Sequence, residues 1–264
     1  KKILMVISIN DIDKNLGLKK KIVITFDDGY LDNFENAFPI LKKYNCPATI
    51  YIVTSFLDNK NFPWWLKIWQ IIEANEYIIY DQKKIDISHN SLKSKTYNFF
   101  CKKIFIMKPS EQKSFLTKIT KDLDQTRLNK KDEFLSSNDL TKLDQSKLIE
   151  IGCHTHTHQN LKLLEDHELN DEINTSKLIL EKILKKKINH FSIPYGTKKS
   201  FSKKTINMLK NFNFKTIVTT EHGNFDKKKL LGIPRIGIGN SDVEGSLYSK
   251  ALGLDSLINR ILKR

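Results

Sequence analysis

An α/β fold built on parallel strands is what this sequence predicts, and three observations predict it. Short apolar runs rich in β-branched residues recur along the chain, as in Ile22-Val23-Ile24-Thr25-Phe26, and suit strands buried on both faces. Longer segments with apolar residues at helical spacing lie between them, and such alternation marks a parallel sheet covered by helices. Several of the apolar runs end in polar clusters, and in parallel α/β folds the C-terminal ends of strands are where active sites gather.

The elements follow in order. Lys1-Lys2 and the apolar run at 3–9 read as a first strand, because the run is short for a leader and no small-residue cleavage site follows it. The run at 22–26 is a buried strand. The segment 33–44 is a helix, with Phe34, Ala37, Phe38 and Leu41 on one face. A second strand spans 48–53. From about 56 to 136 the pattern changes. Phe62-Pro63-Trp64-Trp65 precedes Leu66, Ile68, Trp69, Ile71 and Ile72 at helical spacing, and Lys-rich helical stretches follow. This segment reads as a mainly helical insertion packed on a single domain covering 1–264, with a lid among its roles. The aromatic trio Trp64, Trp65 and Trp69 is either the insertion's own core or an aromatic stacking platform.

The alternation then resumes. Ser137-Asn138-Asp139 caps a short helix, 148–153 is a strand, and 165–184 is a long helix with Leu169, Ile173, Leu180 and Leu184 in its stripe. A strand at 190–193, a helix capped by Ser202, a strand at 216–219 and a strand at 231–238 containing Pro234 come next. A helix from about 241 closes the chain.

The 264 residues suffice for one barrel-sized domain. The net charge of +15 admits a nucleic-acid binder, a protein working beside anionic envelope polymers or a membrane surface, or basic residues dispersed over solvated faces. The third reading is adopted, because Lys and Arg recur along most of the chain and no DNA- or RNA-binding motif is present. Cys46, Cys101 and Cys153 are too few and too widely spaced for a disulfide framework. No stretch reaches the apolar length that spans a bilayer. Without a clear leader the expected location is cytoplasmic by default, with association to the cell envelope left open. The chain begins at Lys1 without an initiator Met, so completeness of the N-terminus is open as well.

Three segments at strand ends carry chemistry. Thr25-Phe26-Asp27-Asp28-Gly29 places two carboxylates side by side after an apolar strand. Such a pair raises one pKa unless a cation intervenes, and a cation on one Asp leaves the other free as a base. The other reading is a helix N-cap with an acidic first turn. In Gly152-Cys153-His154-Thr155-His156-Thr157-His158, a helical turn would put His154 and His158 on one face with His156 elsewhere. An extended segment would put all three histidines on one face. Cys153 is either a further ligand or a small buried residue at the strand end. Phe191-Ser192-Ile193-Pro194-Tyr195-Gly196 alone is a turn signal.

Together and in this order, these segments resemble the polysaccharide deacetylase family, the NodB-homology or carbohydrate esterase 4 group. Thr25 to Gly29 match its first motif, His154-Thr155-His156-Thr157-His158 match its His-(Ser/Thr)-x-x-His motif, and Pro194-Tyr195-Gly196 match part of its third. The resemblance spans 21–54 and 139–238 and leaves the insertion unmatched. It implies a distorted (β/α) barrel of the NodB type and a divalent ion, usually zinc, on Asp28, His154 and His158. It implies Asp27 as general base and the backbone N–H of Tyr195 as an oxyanion donor. The implied activity is removal of acetyl groups from N-acetylated sugars of a polysaccharide or cell-envelope glycan. The alternatives are a non-catalytic glycan-binding protein on the same fold and a hydrolase of another non-peptide C–N bond. The sequence departs from the family at two points. Ser192 stands where many members have an Arg that orients the base, so Arg235, in the late strand, is the expected source of that positive charge. The family's late general acid is not visible, and His222 is the nearest candidate. The oligomeric state is not expressed in the sequence.

Overall fold

The computed structural model describes residues 4–14, 20–120, 133–221, 223 and 225–252. Strand β1 (Leu4–Val6) pairs in parallel with β2 (Lys20–Ile22). The first strand is shorter than expected: Ser8 caps a 3-10 turn at Ile9–Asp11, its side chain accepting from the Asn10 N–H. The run at 22–26 is not one strand either. The chain changes partners at Val23, and β3 (Ile24–Phe26) pairs with β4 (Ala48–Ile52). Val23 packs there against a small cluster of Ile9, Tyr51, Val218 and Ile233. The expected helix at 33–44 opens as a wide π-turn, Asn33–Ala37, before α1 (Phe38–Lys43). Pro39 supplies the reason, since it has no N–H with which to close the preceding α-turn. Leu41 is buried, and Phe34 and Phe38 pack against the main core.

The insertion follows as α2 (Trp64–Ala74), β5 (Tyr77–Tyr80), β6 (Lys83–Asp86), α3 (Asn90–Phe105) and α4 (Pro109–Thr120). The antiparallel hairpin β5–β6 is an addition to the helices expected. Its two-residue turn, Asp81–Gln82, has φ of 48° and 62°, the backbone of a tight hairpin turn. Asp-Gln lacks the glycine that normally announces such a turn. The insertion has its own core of Ile68, Ile71, Ile72, Ile78, Phe100 and Ile104, all buried. Each contributes roughly 1.5–3 kcal/mol on leaving water.

The insertion leaves the main fold and returns to it at one place. Asp58 N–H donates to Leu135 O (3.2 Å) and Asn59 Oδ1 accepts from the N–H groups of Glu133 and Phe134. The Asp58 carboxylate accepts from Ser137 N–H and Oγ–H. The returning chain also bonds to the first motif, Leu135 N–H to Gly29 O at 3.0 Å.

Helix α5 (Ser137–Gln145) starts earlier than expected, because the cap is Ser136 rather than the Ser137-Asn138-Asp139 segment, in a reciprocal box with Asp139. Then come β7 (Ile149–Cys153), α6 (Asp166–Leu184), β8 (His190–Ser192), α7 (Lys203–Asn211, capped by Ser202), β9 (Thr216–Val218), β10 (Leu231–Ile233) and α8 (Glu244–Leu252). The strand expected at 231–238 stops before Pro234, which cannot donate to the ladder. The parallel sheet runs β3-β4-β7-β8-β9-β10, in chain order, and curls as a half-barrel. The main core gathers Ile50 and Ile52, Ile151, Phe191 and Ile217 from the strands and Leu140, Leu169, Ile173 and Leu180 from the helices. Among the described residues, no helix is long and apolar enough to cross a membrane.

Candidate active site

Every segment nominated from the sequence leaves the C-terminal end of a sheet strand. Asp27 and Asp28 follow β3, the histidine segment follows β7, Ile193 to Gly196 follow β8, and Arg235 follows β10. These exits turn sharply. Asp28 and Gly29 have φ of 70° and 81°, Thr155 and His158 have 67° and 59°, and Tyr195 and Gly196 have 60° and 63°. Glycine is required at 196, because a Cβ would lie 2.4 Å from the Thr220 backbone nitrogen. Left-handed backbone at a β-branched residue such as Thr155 is strained and persists only where its surroundings hold it.

They do hold it. The Glu172 carboxylate, on α6, accepts from the N–H groups of His156 (3.0 Å) and Thr157 (2.8 Å) and from the Thr157 hydroxyl. Thr155 Oγ1 accepts from the His158 N–H at 3.0 Å. The segment is thus neither helical nor extended. His156 turns away from the other two, its Nδ1 2.9 Å from Thr54 Oγ1. Cys153 is fully buried in the main core, and burial pushes its thiol up to about 12.

Asp28, His154 and His158 converge, with one donor atom of each within 4.8 Å of the others. Asp28 Oδ1 faces the Nε2 atoms of His154 and His158 at 3.4 and 3.3 Å. His154 Nδ1–H donates to Ser192 O at 2.8 Å, which leaves its Nε2 as the free donor atom. His158 is flanked by the rings of Trp65 and Tyr195, with centroids 4.9 and 4.7 Å away.

Asp27 is held separately. Arg235 grips it with two donors, Nη1 to Oδ1 at 2.7 Å and Nη2 to Oδ2 at 2.6 Å. The same guanidinium donates to Thr25 Oγ1, Ser192 Oγ and Thr219 O, and its carbon lies 5.6 Å from the centre of the buried Tyr51 ring. Ser192 therefore leaves room for a guanidinium arriving from another strand. Burial alone would raise the Asp27 pKa, but His154 and Arg235 outweigh it and keep the carboxyl below its ordinary 3.8.

Asp28 is the opposite case. Burial, with the charge of Asp27 added, pushes it up to about 6 against the pull of His154, and burial drives His158 well below 6.5. Asp28 Oδ1 is buried and accepts no hydrogen bond among the described residues. One carboxylate oxygen and two imidazole nitrogens, turned toward one another and short of a partner, fit a divalent cation, and zinc takes these donor types. Three protein donors leave coordination positions open.

A family model for polysaccharide deacetylases matches residues 14–217. The chain belongs to the polysaccharide deacetylase family. The chain's fold is similar to that of the Streptococcus pyogenes deacetylase PplD, solved with acetate. The two share a TM-score of 0.58 and 18% identity over 93% of this chain and 79% of that one. It is also similar to IcaB from Ammonifex degensii, with a TM-score of 0.59 and 15% identity over 94% and 81%. A curated relative, the poly-beta-1,6-N-acetyl-D-glucosamine N-deacetylase of Staphylococcus aureus, is 48% identical over 44 residues. That match covers 17% of this chain and 15% of the relative's length.

His222 lies outside the described residues. Two residues outside the nominated segments, Glu172 on α6 and Thr54 just after β4, fix the histidine segment. No local pattern marks them, since their partners are distant in the chain. Trp65 packs against the buried cluster of Val53, Phe56 and Phe134, and its ring also meets His158. Of the other two tryptophans, Trp64 packs against both Trp65 and the insertion core, and Trp69 is partly exposed beside Tyr97.

Proposed function

We propose that this family member is a metal-dependent hydrolase that removes acetyl groups from the N-acetylated sugars of a polysaccharide or cell-envelope glycan. One observation carries the reading: a three-donor cluster suited to a cation stands beside a carboxylate that an arginine holds apart from it. The name of the Staphylococcus aureus relative supports an N-acetylglucosamine polymer as the class of substrate.

Hydrolysis of an acetamide adds a water oxygen to the carbonyl carbon and breaks the C–N bond. The bond's electron pair leaves on nitrogen, which takes a proton, giving acetate and a free amine. A zinc ion held by Asp28, His154 and His158 would polarise the carbonyl and acidify water. Asp27 accepts the proton of the attacking water. Its low pKa keeps it ionised, and the two bonds from Arg235 fix the direction in which its oxygens face. His154 presents Nε2 because Ser192 O holds its other nitrogen. The Tyr195 backbone N–H is assigned to the developing oxyanion, on a turn fixed by the Thr220 hydroxyl donating to Tyr195 O at 2.6 Å.

The test is acetate release from a panel of N-acetylated glycans. The expected result is release that a chelator stops and added zinc restores. Zinc-loaded protein that liberates no acetate from any of them would refute the hydrolase.

A further inference from the structure

The two histidines of the cluster are oriented by different means. His154 is fixed by a hydrogen bond from Nδ1 to a backbone carbonyl, the usual way a ligating imidazole is aimed. His158 has no such bond: its Nδ1 is buried and without a hydrogen-bond partner among the described residues. Rotation about the bond to an imidazole ring has only shallow preferences of its own, so packing must set the angle. The rings that meet His158 edge-on are Tyr195 at 4.7 Å and 68°, His154 at 4.9 Å and 69°, and Trp65 at 4.9 Å and 64°. Tyr195 and His154 belong to the half-barrel. Trp65 comes from the insertion, on the first turn of α2.

Trp65 is itself held firmly. Its Nε1–H donates to the Tyr30 hydroxyl at 2.9 Å. Its ring meets Phe56 at 5.8 Å and 74°, and Trp64 at 5.4 Å and 89°. These neighbours fix the plane of the indole ring.

We propose that Trp65 is a positioning residue for His158: the insertion supplies, by packing, the orientation that a hydrogen bond supplies to His154. This rests on Asp28, His154 and His158 being the metal ligands. The insertion is then part of the metal site, and removing it would loosen the ion as well as alter the surface.

Zinc affinity, measured by competition against a chromophoric chelator, tests this on the full chain for wild type, Trp65→Phe, Trp65→Leu and Tyr30→Phe. Trp65→Leu is expected to weaken zinc binding by roughly tenfold or more, the usual effect of removing a group that orients a metal ligand. Trp65→Phe, which keeps an aromatic ring beside His158 but loses the bond to Tyr30, and Tyr30→Phe, which frees the indole without a cavity at Trp65, should both fall between wild type and Trp65→Leu. Zinc affinity unchanged in Trp65→Leu, with only KM for the glycan raised, would overturn the proposal in favour of a sugar platform. Should Trp65→Leu fail to fold, unchanged affinity in Tyr30→Phe overturns it. Wild-type protein that takes up no zinc overturns this inference together with the ligand assignment beneath it, whereas unchanged variants beside a zinc-binding wild type overturn this inference alone.

Discussion

The half-barrel and the insertion fill their interiors differently. The insertion buries Ile68, Ile71, Ile72, Ile78, Phe100 and Ile104, all drawn from neighbouring stretches of chain. Its buried polar groups serve local ends, as Gln112 does in donating to Ile104 O and Met107 O at the end of α3. The half-barrel buries apolar residues on its helix-covered side, but it also carries Tyr51, His190, Thr216 and Arg235 at little or no exposure. His190 lies between Thr216 Oγ1 and Asn10 Oδ1, at 2.8 and 2.9 Å. Left-handed backbone follows the same division. In the insertion it forms the hairpin turn at Asp81 and Gln82 and the stem at Asp58 and Asn59; in the half-barrel it ends ordinary turns at Asn45, Lys147, Lys185 and Asn213, but also recurs at Asp28, Thr155, His158 and Tyr195, beside the candidate ligands. One region is organised for stability, and the other accepts polar and strained groups where chemistry needs them.

Three experiments press on that division. The largest effect is expected at the half-barrel's polar end. Asp27→Asn should lower acetate release by about a hundredfold or more, the scale of a lost general base, with zinc affinity little changed and thermal stability lowered, because the buried Arg235 loses its charged partner. A small loss would mean that the clamped carboxylate is not the base.

Next comes the insertion. Phe100→Ala should cost that region about 3–5 kcal/mol by opening a cavity. All three tryptophans of the chain, Trp64, Trp65 and Trp69, lie in the insertion, so their fluorescence reports its unfolding while far-ultraviolet dichroism reports the whole chain. The fluorescence transition should move to lower denaturant ahead of the dichroism. Coincident transitions would show one cooperative unit and break the comparison.

The smallest effect concerns His190. Burial, with Lys215 and Lys186 adding to it, lowers its pKa from 6.5 to about 4. The folded state therefore keeps it neutral while the unfolded chain takes up a proton near 6.5. Its contribution to stability is complete above that value and is lost as pH falls toward about 4, by roughly 3 kcal/mol in all. His190→Gln should flatten this part of the pH dependence when denaturation is followed by dichroism. An unaltered slope would locate the proton uptake elsewhere.

The sequence expresses this division unevenly. The alternation of strand and helix was legible because buried parallel strands and amphipathic helices leave different periodicities. The polar ends of β3, β7 and β8 were legible because their residues form short contiguous motifs, and Arg235 because a missing charge at Ser192 called for a replacement. The partner switch at Val23 was hidden, since a strand that changes neighbours keeps its apolar pattern. The hairpin was hidden because Asp81-Gln82 adopts a turn that Asn-Gly would have advertised. Glu172 and Trp65 act across long stretches of chain, through contacts that periodicity does not encode.

The paired ends of the insertion, where Asp58 and Asn59 meet 133–137, make it a side branch on the main thread. Because its stems are already joined, the length between them can change at little entropic expense, since closure cost grows only slowly with loop size. Such a branch could be replaced as a cassette by design while the strands beneath stay in register. The exchange would carry one condition: any replacement must again bring a bulky ring to the flank of His158.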